Sequence, residues 1–148
     1  MRVIGVEIKG AEAVFCLLGM EDGLFAVPSM RQLSMTMPKL ESTESIRSFH
    51  FAFGKLMEDY HVDHIVIIDR PQKGKFAGSG GSFKMEAAMQ LVGVDATVMH
   101  PTQIKEWVKR NPVQAGFDEL GLKKFQKVAF DAAYAYCQST LHTNDEEY

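Results

Sequence analysis

Ile65-Val66-Ile67-Ile68 is apolar at every position and closes on Asp69. A strand of this kind has no polar side to turn to water, so both of its faces must be covered. That condition points to a sheet held between helical layers, and the flanking sequence supplies the helices. Upstream, Arg2–Ile8 and Ala13–Met20 read as two β-segments separated by a turn at Gly10. Glu21-Asp22-Gly23 reads as a hairpin turn, because Asp-Gly accepts the positive φ of tight hairpins. Leu24–Val27 makes a third strand that stops at Pro28, which completes an antiparallel meander. Met30–Glu41 shows no clean period and contains Pro38, so it reads as a connection.

Ser42 or Thr43 can cap a helix in which Ile46, Phe49, Phe53, Met57 and Tyr60 recur every three or four residues as one apolar stripe. Phe49, Phe51 and Phe53 are read there as core and helix-packing residues rather than a stacking platform. Beyond Asp69, Arg70–Ser82 is a polar, glycine-rich loop whose composition predicts mobility. Phe83–Val92 reads as a second helix with Ala87, Ala88 and Leu91 inward, and Ala96–Met99 as a strand. Pro101 suits the first turn of a third helix carrying Ile104, Trp107 and Val108. Asn111–Gly121 is another loop, and a last helix runs from about Lys123 to about Ser139. The order β-β-β-α-β-α-β-α-α predicts one α/β domain over residues 1–140, with 141–148 a polar C-terminal tail. Its sheet is mixed and five-stranded, a three-strand meander plus parallel strands, flanked by helices.

A chain of 148 residues that is 46% hydrophobic can bury a real core. It contains no apolar run near the ~20 residues that span a bilayer, so no membrane association is expected. Met1-Arg2-Val3 leads directly into a strand-like segment rather than a signal peptide. Cys16 and Cys137 both lie in apolar stretches and read as reduced core thiols of a cytoplasmic protein. The net charge of -3 argues against polyanion binding over the whole surface. Between Arg70 and Lys127, however, ten basic residues face five acidic ones, a local excess of +5. Such a face suits a phosphate-bearing substrate, and equally a solvated lysine-rich surface.

Three acids interrupt apolar runs. Glu7 follows Val3-Ile4-Gly5-Val6, Asp69 ends the fourth strand, and Asp131 lies within Val128-Ala129-Phe130-Asp131-Ala132-Ala133. A carboxylate in an apolar setting must find a cation, a metal or a proton, because the bare buried ion is costly. Each also has a local explanation. Glu7 can pair with Lys9, Asp69 can cap the loop at Arg70-Pro71, and Asp131 can pair with Lys127 one turn earlier. Three separate explanations are less economical than one shared cation, and Glu86 on the second helix is a reserve acid. His61, His64 and His100 lack the spacing of a zinc site.

With an acid on the first strand, another at the end of the fourth and a third on the last helix, the chain resembles the ribonuclease H-like superfamily. The likeness is to its RuvC-type Holliday-junction resolvase branch. Met1–Gly19 is similar to that branch's opening strand pair, in which an acid follows Ile-Gly-Val. Ile65–Asp69 is similar to its fourth strand, His100-Pro101-Thr102-Gln103-Ile104-Lys105 to the following strand-to-helix step, and Val128–Ala133 to its closing helix. The likeness covers most of the chain through short motifs. It implies a two-metal phosphodiesterase site in which Glu7, Asp69 and Asp131 are catalytic and ligate Mg²⁺ or Mn²⁺, hard cations that take carboxylate oxygens. Glu7 and Asp69 exchange the Asp and Glu of the family pattern. Val128 stands at the family's fourth ligand, and Ile8-Lys9 separates the first acid from Gly10. The resemblance also suggests a homodimer.

The loop after Asp69 lacks the Gly-Lys-Ser/Thr ending of a nucleotide-binding loop, which disfavours ATP. It reads instead as a clamp on a nucleic-acid backbone or as a flexible surface loop. Lys73, Lys75, Lys84, Lys124 and Lys127 are the candidate phosphate contacts, with Phe76 stacking a base. Two functions follow: a divalent-metal-dependent nuclease acting on structured or branched nucleic acid, or a catalytically silent module of the same fold that binds nucleic acid or protein. A sugar or acyl-phosphate kinase of the related actin-like fold requires a duplicated domain and a longer chain.

Overall fold

The computed structural model describes residues 1–37, 42–75 and 77–146, and the side chains of all of these except 117, 118 and 143–146. The strands are β1 (Arg2–Lys9), β2 (Glu12–Glu21), β3 (Leu24–Ala26), β4 (Ser34–Thr36), β5 (His64–Ile68) and β6 (Asp95–Met99). The helices are α1 (Thr43–Asp59), α2 (Gly80–Gln90), α3 (Pro101–Arg110), α4 (Phe117–Leu120) and α5 (Lys127–Glu146), the last preceded by a 3-10 turn at Lys124–Gln126.

The sheet order is β3-β2-β1-β5-β6, with β4 also paired to β2. β1, β5 and β6 run parallel, and β2 runs antiparallel to β1 and β3, so the mixed sheet and the meander are both present. Asp22 and Gly23 both take positive φ, 52° and 78°, as the tight hairpin requires. The sheet has six strands rather than five. Three residues of Met30–Glu41 form β4 against Glu12–Val14, because the edge of β2 beyond β3 still needs backbone partners. Pro38 and Glu41 lie outside the described residues.

Side chains alternate across the sheet as the strand period demands. Ile4, Val6 and Ile8 of β1 join Phe15, Ile65 and Ile67 in a core with Phe49, Phe53, Met85 and Met89 of α1 and α2. Val3 joins Cys16, Val66 and Ile68 in a second core beneath α3 and α5. The apolar β5 is thereby buried on both faces. Burial raises the Cys16 thiol to about 12, with the Asp131 carboxylate adding to the rise, and pushes Cys137 up to about 11. Both remain free buried thiols.

Several local expectations change. Phe51 is exposed on α1 while Phe49 and Phe53 are buried. α2 starts earlier than the sequence suggested, capped by Ser79, and buries Ser82, Met85, Ala88 and Met89. Ala87 is exposed and Leu91 is 76% exposed, so the inner face is rotated from the one expected. α5 continues to Glu146, past the end expected near Ser139.

Two polar or small residues dock α5 on the sheet. A Cβ built on Gly5 would stand 1.8 Å from the Ala129 carbonyl oxygen, so strand and helix meet backbone to backbone. Gln126, buried, donates through Nε2 to the Phe15 carbonyl at 3.0 Å and accepts from the Lys123 amide at 3.0 Å.

Candidate functional site

β1 and β5 are parallel, so Glu7, Lys9, Asp69 and the loop from Arg70 all lie toward the carboxyl ends of these strands. α5 runs in the opposite sense. Its Ala129 lies over Gly5, whereas Tyr136 stacks on His64 at the start of β5, with ring centroids 4.1 Å apart. The first turns of α5, with Lys127 and Asp131, are therefore directed toward the same end of the sheet. This is where open α/β sheets ordinarily bind ligands.

Glu7 alternates with Val3 and Gly5 and so belongs to the α5 side of β1. Its side chain is 18% exposed and has the Lys9 ammonium 3.4 Å from Oε1. That Oε1 is nevertheless buried and accepts no hydrogen bond, since the lysine is close but poorly aligned. The distance marks a weak contact, and the orphaned acceptor is the more informative fact. Asp69 lies just past β5 with its backbone N–H on the Met99 carbonyl at 2.9 Å, and its Oδ1 accepts from the Arg70 amide at 2.9 Å. It lines a cleft with Ile8, Gly10, Arg70, Gly78 and Ser82. Asp131 accepts from Lys127 at 2.8 Å and borders a different cleft, between α5 and the 111–121 segment, with Lys109, Val113 and Phe130. Each acid thus has the local partner open to it in the sequence.

The donor chemistry, carboxylate oxygens with one buried and unsatisfied, suits a hard divalent cation. A three-acid cage is not assembled. Among the described residues, no three His, Cys, Asp or Glu side chains are grouped so as to hold a metal ion. Val128 is exposed. Glu86, the reserve acid, is taken by Arg70 at 3.2 Å.

Of the candidate phosphate contacts, Lys73 and Lys75 are exposed on the loop, Lys84 is exposed early in α2, and Lys124 is exposed in the 3-10 turn before Lys127. Phe76 lies outside the described residues. The loop is tied at its base, where the Gly78 amide donates to the Pro71 carbonyl at 2.8 Å. His100 acts structurally, since its Nδ1 accepts from the Thr102 amide at 3.1 Å to cap α3. The sequence reading missed the roles of Gly5, Gln126 and Arg70. For Gly5 the signal was present, a glycine inside a β-branched run, which marks close backbone approach. For Arg70 it was not, because its partners in α2 lie twelve to sixteen residues on.

No helix among the described residues is long and apolar enough to cross a membrane. No curated protein matches the sequence. Among solved structures, Thermus thermophilus RuvC superposes with a TM-score of 0.74 at 14% identity, covering 97% of this chain and 97% of that one. RuvC of T. thermophilus in complex with Holliday junction substrate gives 0.69 at 13% identity over 96% of each chain. The fowlpox virus resolvase with substrate Holliday junction DNA gives 0.54 at 13% identity, covering 95% of this chain and 99% of that one. At such identities the likeness establishes the fold alone, a ribonuclease H-like mixed sheet flanked by helices. The family model for "Protein of unknown function (DUF3010)" matches residues 1–136, and the chain belongs to that family.

Proposed function

We propose that this chain is a divalent-metal-dependent nuclease acting on structured or branched nucleic acid, with Glu7 and Asp69 as the central carboxylates and Asp131 completing the set. The observation that carries this reading is the buried, unsatisfied Oε1 of Glu7 at the carboxyl end of β1. A buried acceptor that takes no hydrogen bond is a liability unless something in the working state satisfies it. Mg²⁺ is commonly held by only one or two carboxylates together with water and substrate phosphate, so a preassembled cage is not required. The Lys9 and Lys127 ammonium groups are more than half exposed, and ion pairs of that kind contribute little, so they yield readily to a competing cation. Bound there, Mg²⁺ or Mn²⁺ would supply an activated water and stabilise the leaving oxygen. The protein's own part is to fix Glu7 by strand pairing and to hold Asp69 through the Arg70 amide. Lys73, Lys75, Lys84 and Lys124 would follow the backbone of the substrate.

The second reading is a silent module that binds nucleic acid without cutting it. The 2.8 Å Lys127–Asp131 pair and the apolar Val128 favour it. Cleavage of four-way-junction, duplex and single-stranded DNA and RNA with Mn²⁺, Mg²⁺ or EDTA separates the two. Metal-dependent cleavage abolished by Glu7→Gln supports the nuclease. Binding in EDTA with no cleavage under any metal supports the module.

A further inference from the structure

We propose that Arg70 is a positioning residue, locking the strand end that carries Asp69 to the base of the basic 71–78 loop so that acid and lysines meet a phosphate backbone as one unit. The inference deepens the nucleic-acid reading above and rests on it.

Arg70 should by composition reach into solvent from a polar loop. Instead its side chain is only 11% exposed and turns back over its own chain. Nη1 donates to the Ile68 carbonyl at 3.0 Å and to Glu86 Oε1 at 3.2 Å. Nη2 donates to the Ser82 carbonyl at 3.3 Å, and Nε reaches Ser82 Oγ at 3.4 Å. The guanidinium lies over the Phe83 ring, 4.5 Å from its centroid. One planar group therefore holds the end of β5 and the first turn of α2. Its own amide meanwhile holds the Asp69 carboxylate at 2.9 Å. A largely buried guanidinium with this many partners is a poor choice for stability alone, since apolar packing does as well.

The loop is part of the same clasp. The Gly78 amide donates to the Pro71 carbonyl at 2.8 Å, closing the segment that bears Lys73 and Lys75. A Cβ on Gly78 would stand 2.9 Å from Ser82 Oγ and 3.1 Å from Arg70 Nε. Gly78 leaves room for the guanidinium, so the loop and the clasp fit only together. Lysine cannot replace arginine here, because one ammonium on a flexible stem does not reproduce a planar fork with several fixed donors.

The test compares the full chain with Arg70→Lys and Gly78→Ala, the second disturbing the clasp while leaving Arg70 in place. Amide hydrogen exchange is read at Asp69 and Gly78 and in the core of β1 and β5, alongside binding of a four-way DNA junction in EDTA. The expected result is faster exchange at Asp69 and Gly78 in both variants with the core amides unchanged. Junction binding should weaken on the order of tenfold, as expected when contact groups are displaced by a fraction of an ångström to an ångström. Unchanged exchange at these two amides overturns the proposal. So does loss of protection throughout the core with a fall in Tm, which marks a purely structural residue. If the unaltered protein binds no junction, the nucleic-acid reading fails, and the exchange measurement alone decides whether Arg70 positions Asp69.

Discussion

Gly5 of β1 and Ala129 of α5 set how closely the closing helix lies on the central strand, for no side chain fits between them. The contact fixes the depth at which α5 sits and therefore where Asp131 stands relative to Glu7. Ala129, Ala132 and Ala133 are all fully buried along the same face, so the approach is built into both partners.

Gly5→Ala should be severe, because the new Cβ meets a backbone carbonyl that cannot rotate away. A loss of at least about 3 kcal/mol is expected, at the upper end of overpacking costs. That corresponds to a fall in Tm of roughly 10 °C for a domain of this size. Thermal unfolding of the variant checks it, and a Tm within 2 °C or so of the original would contradict the contact.

Gln126→Leu keeps the volume but deprives the Phe15 carbonyl and the Lys123 amide of their partner. Leaving the buried Phe15 carbonyl unsatisfied costs about 1–3 kcal/mol. Urea denaturation should show the midpoint reduced with little change in slope, since the compactness of the two states is unaltered.

His64 gives a pH dependence. Burial lowers its pKa, opposed in part by the Asp95 carboxylate, while the ring stacks on Tyr136 and meets Thr97 Oγ1 at 2.8 Å. A histidine depressed in the folded state binds its proton more readily when unfolded. Stability is therefore fully present above the ordinary value of 6.5 and declines as pH falls through 6.5 toward the lowered value. His64→Asn should flatten urea midpoints measured from pH 7.5 to 5. Asp59, held below its ordinary value chiefly by its hydrogen bond with Arg31, acts in a separate window below pH 3.8.

Much of this architecture was legible in the sequence because its signals were local. The apolar β5, the Asp-Gly hairpin and the stripe of α1 each announce themselves within a few residues. β4 did not, since three residues beside a proline-containing stretch carry no alternation and exist only because the edge of β2 needs partners. The start of α2 was hidden in glycines, which disfavour helix, until Ser79 capping overrode propensity. Its inner face was misjudged because Met85 and Met89 do the burying while Leu91 points outward. The three acids stood out in the sequence by their apolar contexts, but their meeting as one cage, a matter of three-dimensional placement, does not appear among the described residues. The Arg70 clasp was not, because it depends on the loop folding back, which no short-range pattern records.

A divalent cation on Glu7 would show in Mn²⁺-dependent thermal unfolding. Without metal, Glu7→Gln should be at least as stable as the unaltered protein, because it removes a largely buried charge whose Oε1 accepts no hydrogen bond and whose one cation, Lys9, is more than half exposed. With Mn²⁺ at about 100 times its dissociation constant, the unaltered protein should gain about 2.7 kcal/mol, whereas Glu7→Gln gains little. Equal Mn²⁺ responses in the two proteins, or none in either at millimolar metal, would contradict the account.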